Sequence, residues 1–220
     1  ICLDGANQQS YEKYRGGGDF TKVTGNASDV DNMLPMQILN NGELDSEGYV
    51  MFHVGEFQKG NVGLAAYDVD GEILWSWHIW FTDKPVDLIT GNYTFMDRNI
   101  GATSATPGDV CALGLLYQWG RKDPFLGSSS ISSSIEAKST IAWPSPVSSD
   151  SSTGTVDYVT SHPTTFVRSG SSPYDWHYSS RDNTLWQSEK TIYDPCPVGW
   201  RVPDGGSDGV WAKAGLVKHD

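Results

Sequence analysis

The run Tyr193-Asp194-Pro195-Cys196-Pro197-Val198-Gly199-Trp200-Arg201-Val202-Pro203-Asp204, followed by Trp211, restricts the fold more than any other part of the chain. Pro195, Pro197 and Pro203 each fix their own φ, remove a backbone donor and bias the preceding residue toward extended conformations, so no helix can pass through here. The sequence predicts a rigid loop leading into a short strand, with the Trp200 ring turned inward and Arg201 held in a fixed direction. Arg98, Arg121 and Arg201 all follow turns or precede prolines, where a guanidinium can bond several loop carbonyls or pair with an acid such as Asp97 or Asp123. The three are read as structural clamps rather than ligand contacts.

Upstream, the pattern is that of strands. Residues 1–48 are polar, with turn signals at Gly16-Gly17-Gly18 and Asn41-Gly42 and one apolar patch at residues 33–39. The strand signal sharpens at residues 49–54 and 62–67, and from Tyr67 the chain reads as a hairpin: Asp68-Val69-Asp70-Gly71 turns, and Glu72 to Trp80 is a strand. Alternation puts Ile73, Trp75, Trp77 and Ile79 on one face and Leu74, Ser76, His78 and Trp80 on the other, so a strand aromatic on both faces is expected to be central and covered on both sides. Asp83-Lys84-Pro85-Val86 ends it and marks the expected domain boundary. Thr106-Pro107-Gly108-Asp109 reads as a turn or helix start before residues 110–119, the best helix candidate, although apolar residues all round leave a buried strand as the alternative. Residues 127–155 are serine-rich around the island Ile141-Ala142-Trp143-Pro144, a composition that buries too little apolar surface to offset its ordering entropy.

Nine Trp, ten Tyr and seven Phe in 220 residues can build a core, while 24 Gly, 11 Pro and few long apolar periods favour strands and loops. The predicted class is α+β, mostly β. A net charge of −12, with the basic residues scattered, disfavours nucleic acid and anionic lipid as partners. No apolar run reaches the roughly 18 residues of a spanning helix. Cys2, Cys111 and Cys196 lack C-x-x-C spacing, so a thiolate zinc site or redox dithiol is not expected, and Cys111 reads as a small buried hydrophobe. Ile1-Cys2-Leu3 has neither the basic nor the apolar region of a signal peptide, so the chain is read as processed or as a fragment.

The octamer Cys196-Pro197-Val198-Gly199-Trp200-Arg201-Val202-Pro203 resembles the hallmark of the major paralogous domain (FISUMP) of Bacteroidetes surface proteins, a family similar in fold to C-type lectin-like domains. Residues 73–80, 96–103 and 114–125 resemble further blocks of fimbrillin-like proteins carrying this domain, in the family's order, so the likeness covers roughly residues 60–215. The resemblance implies an N-terminal β region, residues 1–86, followed by an incomplete C-type lectin-like domain, residues 87–220. The family continues past the Trp211 region with further strands and a terminal cysteine. Their lack here implies an unpaired Cys196, an open sheet edge and an uncovered face around Trp200 and Trp211. Within the family blocks Trp119, Cys196, Pro197, Gly199, Trp200, Arg201 and Pro203 read as structural, as do Trp75, Trp77 and Trp211.

Lectin-like folds bind ligands on long loops stabilised by a few aromatics, which makes Trp143, Tyr174, Trp176, Tyr178 and Trp186 the candidate ligand surface. The calcium-binding sugar triplet of some C-type lectins is absent, and Asp68-Val69-Asp70-Gly71 and Asp29-Val30-Asp31-Asn32 read as turns rather than calcium loops. No metal or cofactor is expected. Five histidines show no metalloprotease spacing and no Gly-x-Ser-x-Gly elbow occurs. Among 27 acidic residues, only separation in space decides whether a glycosidase pair exists. Sulfatase-modifying enzymes share the fold type but react through cysteines, and no second family-like cysteine stands near Cys196, so no catalytic residue is assigned. The expectation is a non-enzymatic, exported protein at the outer-membrane surface or outside the cell, lipid-anchored in its full-length form. It would act as an adhesin for a glycan or a host or bacterial surface protein, or else as a structural subunit pairing with other fimbrial subunits.

Overall fold

The computed structural model describes residues 2–3, 22–24, 36–38, 52–54, 59–125, 130–131, 135–136, 145–207 and 209–213. The described fold is mostly β, with several small antiparallel strand pairs and very little helix. The first strands are β1 (Cys2–Leu3), β2 (Lys22–Thr24), β3 (Met36–Ile38), β4 (Phe52–Val54), β5 (Gly60–Tyr67) and β6 (Ile73–Phe81). β5 and β6 form the expected hairpin. Its turn is fixed by Asp68, whose Oδ1 accepts from the amides of Asp70 and Glu72, both at 2.9 Å, and by Gly71 at φ +89°, a conformation costly for any side chain. The Asp68 carboxylate is thus occupied by its own turn.

Pairing runs from Gly60↔Phe81 to Ala66↔Trp75, then shifts to Tyr67↔Ile73, which leaves Leu74 as the extra residue of a bulge. In the four-stranded sheet β1-β6-β5-β2, β6 lies between β1, parallel to it, and β5, antiparallel. It is the central strand that its two-sided aromatic pattern predicts: Trp75, Ser76, Ile79, Trp80 and Phe81 are all buried. Full burial of each large apolar side chain contributes about 1.5–3 kcal/mol, so Ile79, Trp80 and Phe81 make β6 the main anchor of the sheet. β3 and β4 form a separate antiparallel pair.

Bonds run directly from this sheet to the segment beyond Val86. Trp80 Nε1 donates to the Ala102 carbonyl at 3.0 Å, and Arg98 bonds Thr82 Oγ1 while gripping Asp97 through both carboxylate oxygens. Asp97 also ties the base of a second hairpin, β7 (Asp87–Thr90) and β8 (Tyr93–Met96). Its two-residue loop starts with Gly91 at φ +59°, the sign that a hairpin turn of this length requires.

Residues 110–119 are neither an α-helix nor a long strand. A 3₁₀ turn covers Val110–Ala112, and Leu116 then bridges Phe125 through two backbone bonds. Gly114 at φ +70° and Gly120 at φ +84° break both regular conformations. At Gly114 a side chain is also excluded by space, since a Cβ would stand 2.5 Å from the Ile100 carbonyl oxygen. Cys111 is exposed rather than buried, because its backbone closes the outer turn: its amide donates to Asp109 Oδ1 and its carbonyl accepts from Thr103 and Ser104.

Strands β9 (Ser130–Ile131) and β10 (Ile135–Glu136) pair with each other. The remaining elements are β11 (Val147–Ser148), α1 (Val156–Ser161), β12 (Val167–Arg168) and α2 (Val210–Lys213), with β11 and β12 parallel. Thr155 caps α1, its Oγ1 accepting from the Tyr158 amide, an interaction worth about 1 kcal/mol. Val159, Val167, Trp176 and Leu185 form a core cluster beside the sheet. Arg121, 2% exposed, joins the parts: its guanidinium donates to Gln118 Oε1 and to the carbonyls of His162, Pro163 and Thr165, and lies 5.0 Å from the Phe125 ring centre. Burial lowers its pKa to about 10, so it stays charged at neutral pH.

Candidate functional site

The proline-rich loop is organised by Asp194, a residue to which sequence reading gave no role. Its buried carboxylate accepts from the Cys196 amide on Oδ1 and the Val202 amide on Oδ2, at 2.8 and 2.9 Å, and pairs with Lys190. Lys190 Nζ also donates to the Cys196 carbonyl. Gly199 at φ +82° is the third residue of a turn closed by the Trp200 amide on the Pro197 carbonyl. Arg201 grips Asp204 through both carboxylate oxygens and bonds the Val202 carbonyl, an arrangement that raises its own pKa. Burial, reinforced by Asp194, pushes the Cys196 thiol up, so it is not a thiolate at neutral pH. Trp200 is half-buried rather than turned fully inward.

Two open grooves flank this loop. The first, of about 830 Å³, is lined by Trp119, Tyr174, Asp175, Arg181, Asn183, Gln187 and neighbouring loop residues. Trp119 is half-buried; its ring meets Trp186 edge-on at 5.0 Å between centres, and its Nε1 donates to Asn183 Oδ1 at 3.1 Å. Tyr174 is 61% exposed and its backbone sits at φ +59°. For a tyrosine that conformation costs about 1–3 kcal/mol, and it is braced by the Tyr174 amide on the Ser171 carbonyl. Asp175 is fixed by the His177 amide and stands 3.9 Å from Arg181.

Of the candidate ligand residues, Tyr174, Trp176 and Trp186 line this groove, with Tyr174 exposed, whereas Tyr178 is exposed outside it. Trp176 and Trp186, expected to offer stacking faces, are buried instead. Each indole is anchored inward by a carbonyl, Trp176 Nε1 on Trp119 and Trp186 Nε1 on Tyr193, so the rings serve the core and the groove floor. Trp143 and the Asp29–Asp31 cluster lie outside the described residues. Trp119, read as structural, also forms the groove wall. Asn183 and Gln187 went unassigned; the polar run Arg181-Asp182-Asn183-Thr184 between Tyr178 and Trp186 is the signal that could have found them.

The second groove, about 1270 Å³, lies between β7–β8 and the proline-rich loop and is lined by Phe95, Leu113, Trp200 and Trp211 among others. Trp211 stacks on Phe95 at 5.2 Å yet is 52% exposed, and Leu88 and Ile89 of β7 are exposed as well. Beside this groove Trp211 and the β7 side chains thus present apolar surface, while Trp200 is half-buried.

Ser76, Lys122 and Asp123 form a hydrogen-bonded trio, with Lys122 Nζ 2.9 Å from both Asp123 oxygens and 4.4 Å from the Trp75 ring centre. All three are buried and line neither groove, so they join β6 to the 121–125 segment. Burial lowers the Lys122 pKa, with Asp123 opposing. His78 Nε2 faces Asn61 Oδ1, because the Asn61 amide nitrogen donates to the Gly101 carbonyl, and its Nδ1 accepts from Tyr117. Burial pushes His78 down to about 3, so the ring is neutral. Among the described residues no His, Cys, Asp and Glu cluster could hold a metal ion, and no helix is long and apolar enough to cross a membrane. No family model, curated protein or solved structure matches this chain.

Proposed function

We propose that this chain is the ligand-binding part of a non-enzymatic, exported surface adhesin, with residues 87–220 in the C-type lectin-like class that their motifs resemble. The observation that carries the reading is the 830 Å³ groove walled by Trp119 and Tyr174, which combines exposed aromatic surface with the exposed side-chain amides of Asn183, bonded among the described residues only through its Oδ1 to Trp119, and Gln187. Its size falls within the range of about 300–1,000 Å³ typical of small-ligand sites. A glycan and host-glycoprotein array probed with the chain tests it: binding should depend on Tyr174. Absence of any binding by the folded protein contradicts the adhesin reading.

A second reading, an assembly subunit of a surface fibre, is favoured by the exposed apolar side chains Leu88 and Ile89, one on each face of β7, and by the Trp211 groove. Exposed strands with apolar faces invite pairing with another chain. Sizing by light scattering over a range of concentrations tests it: association that disappears in a Leu88→Lys, Ile89→Lys double variant supports assembly, and a monomer at every concentration contradicts it.

A further inference from the structure

The chemistry of the Trp119–Tyr174 groove narrows the ligand, given the binding reading above. We infer that this groove takes an uncharged saccharide, with Tyr174 stacking on a sugar face and Asn183 and Gln187 reading its hydroxyls. Three observations carry this. The first is charge. Among the lining residues Arg181 has Asp175 beside it, and Asp204 is held by both arms of Arg201. Asp175 is fixed by the His177 amide, so an anion that drew Arg181 away would face a carboxylate that cannot follow. With a chain charge of −12 behind it, the groove offers no surplus cation for a carboxylate, sulfate or phosphate.

The second is hydrogen-bonding capacity. The Trp119 indole can only donate, so its bond at 3.1 Å fixes Asn183 with Oδ1 toward Trp119 and the amide nitrogen turned away as a donor. Gln187, exposed, offers both an acceptor and a donor. Side-chain amides suit hydroxyls, which themselves donate and accept. The third is the kind of wall. Every residue lining the groove lies outside a strand, so no backbone edge is offered on which a peptide could add a ladder. What stands at the mouth instead is one exposed ring, Tyr174, held there by a conformation that tyrosine rarely adopts. A flat aromatic presents a low-entropy stacking surface to the C–H face of a pyranose.

The position of Tyr174 supplies a clean test, because glycine favours φ +59° and Tyr174→Gly removes the ring while relieving the backbone. The 220-residue chain, its Tyr174→Gly variant and an Asn183→Asp variant would be titrated with uncharged di- and trisaccharides of gluco, galacto and manno configuration. Sialylated and sulfated versions of the same sugars complete the panel. The expected result is binding of at least one uncharged sugar, weakened about tenfold by the added acid group and about tenfold by either substitution, with melting temperatures unchanged or, for Tyr174→Gly, raised. Preference for the acidic sugars, or binding indifferent to both substitutions, overturns the inference. Binding of a glycoprotein through polypeptide alone overturns it and leaves the adhesin reading standing, whereas no binding to any sugar or glycoprotein removes both.

Discussion

Arg121 shows how much a single side chain carries here. Its guanidinium reaches the carbonyls of Pro163 and Thr165, the His162 carbonyl that also accepts from the Thr165 amide, and Gln118 Oε1, so one planar group ties four acceptors on two segments. Arg121→Lys should lower unfolding free energy in urea by about 3 kcal/mol, since an ammonium point charge cannot span these acceptors and a buried unpaired group costs about 1–3 kcal/mol. A loss below about 1 kcal/mol would mean that water replaces the clamp. His78 carries a pH signature. Its folded pKa of about 3 lies below the ordinary value of 6.5, so between these limits the unfolded chain binds a proton that the native ring refuses. Stability attributable to His78 is complete above pH 6.5 and falls as pH drops toward 3, at up to about 1.4 kcal/mol per pH unit. Denaturant titrations from pH 7 to 4.5 should show a shallower decline for His78→Asn than for the natural chain; parallel declines would mean the ring is protonated in the fold.

Among the elements, the proline-rich loop and the β5–β6 hairpin differ in what locks them. The hairpin depends on local turn chemistry, and Gly71→Ala, at φ +89°, should cost about 1 kcal/mol. The loop depends on one carboxylate. Asp194→Asn retains an acceptor for either the Cys196 amide or the Val202 amide but sets an NH₂ against the other. A loss of about 2 kcal/mol in urea unfolding is expected, along with faster labelling of the Cys196 thiol. Unchanged labelling would show that the prolines alone hold the loop. These contrasts explain what was legible in the sequence. Alternation around residues 67–80 and the Asp-Gly turn are local signals, and so is an arginine placed beside a turn. Residues 110–119 were not legible, because apolar residues all round carry no period and two glycines in left-handed conformations decide the path. Trp176 could not be separated from a surface aromatic, because its indole finds its acceptor 57 residues away on Trp119.

At the scale of the molecule, two faces compete as the working surface. The Trp119–Tyr174 groove is polar and charge-balanced, while the Phe95–Trp211 groove is the more apolar of the two and adjoins the exposed side chains of β7. The most direct test of the central claim, that ligand enters the first groove, is to follow the nine tryptophan indole N–H signals by NMR during titration with an uncharged trisaccharide. Single Trp→Phe variants provide the assignments. The Trp119 signal, whose N–H bonds Asn183 at the groove wall, should move with saturating dependence on sugar, with a smaller shift at Trp186 and none at Trp200 or Trp211. Movement confined to Trp200 and Trp211, or no movement at Trp119 while the sugar binds, would contradict it.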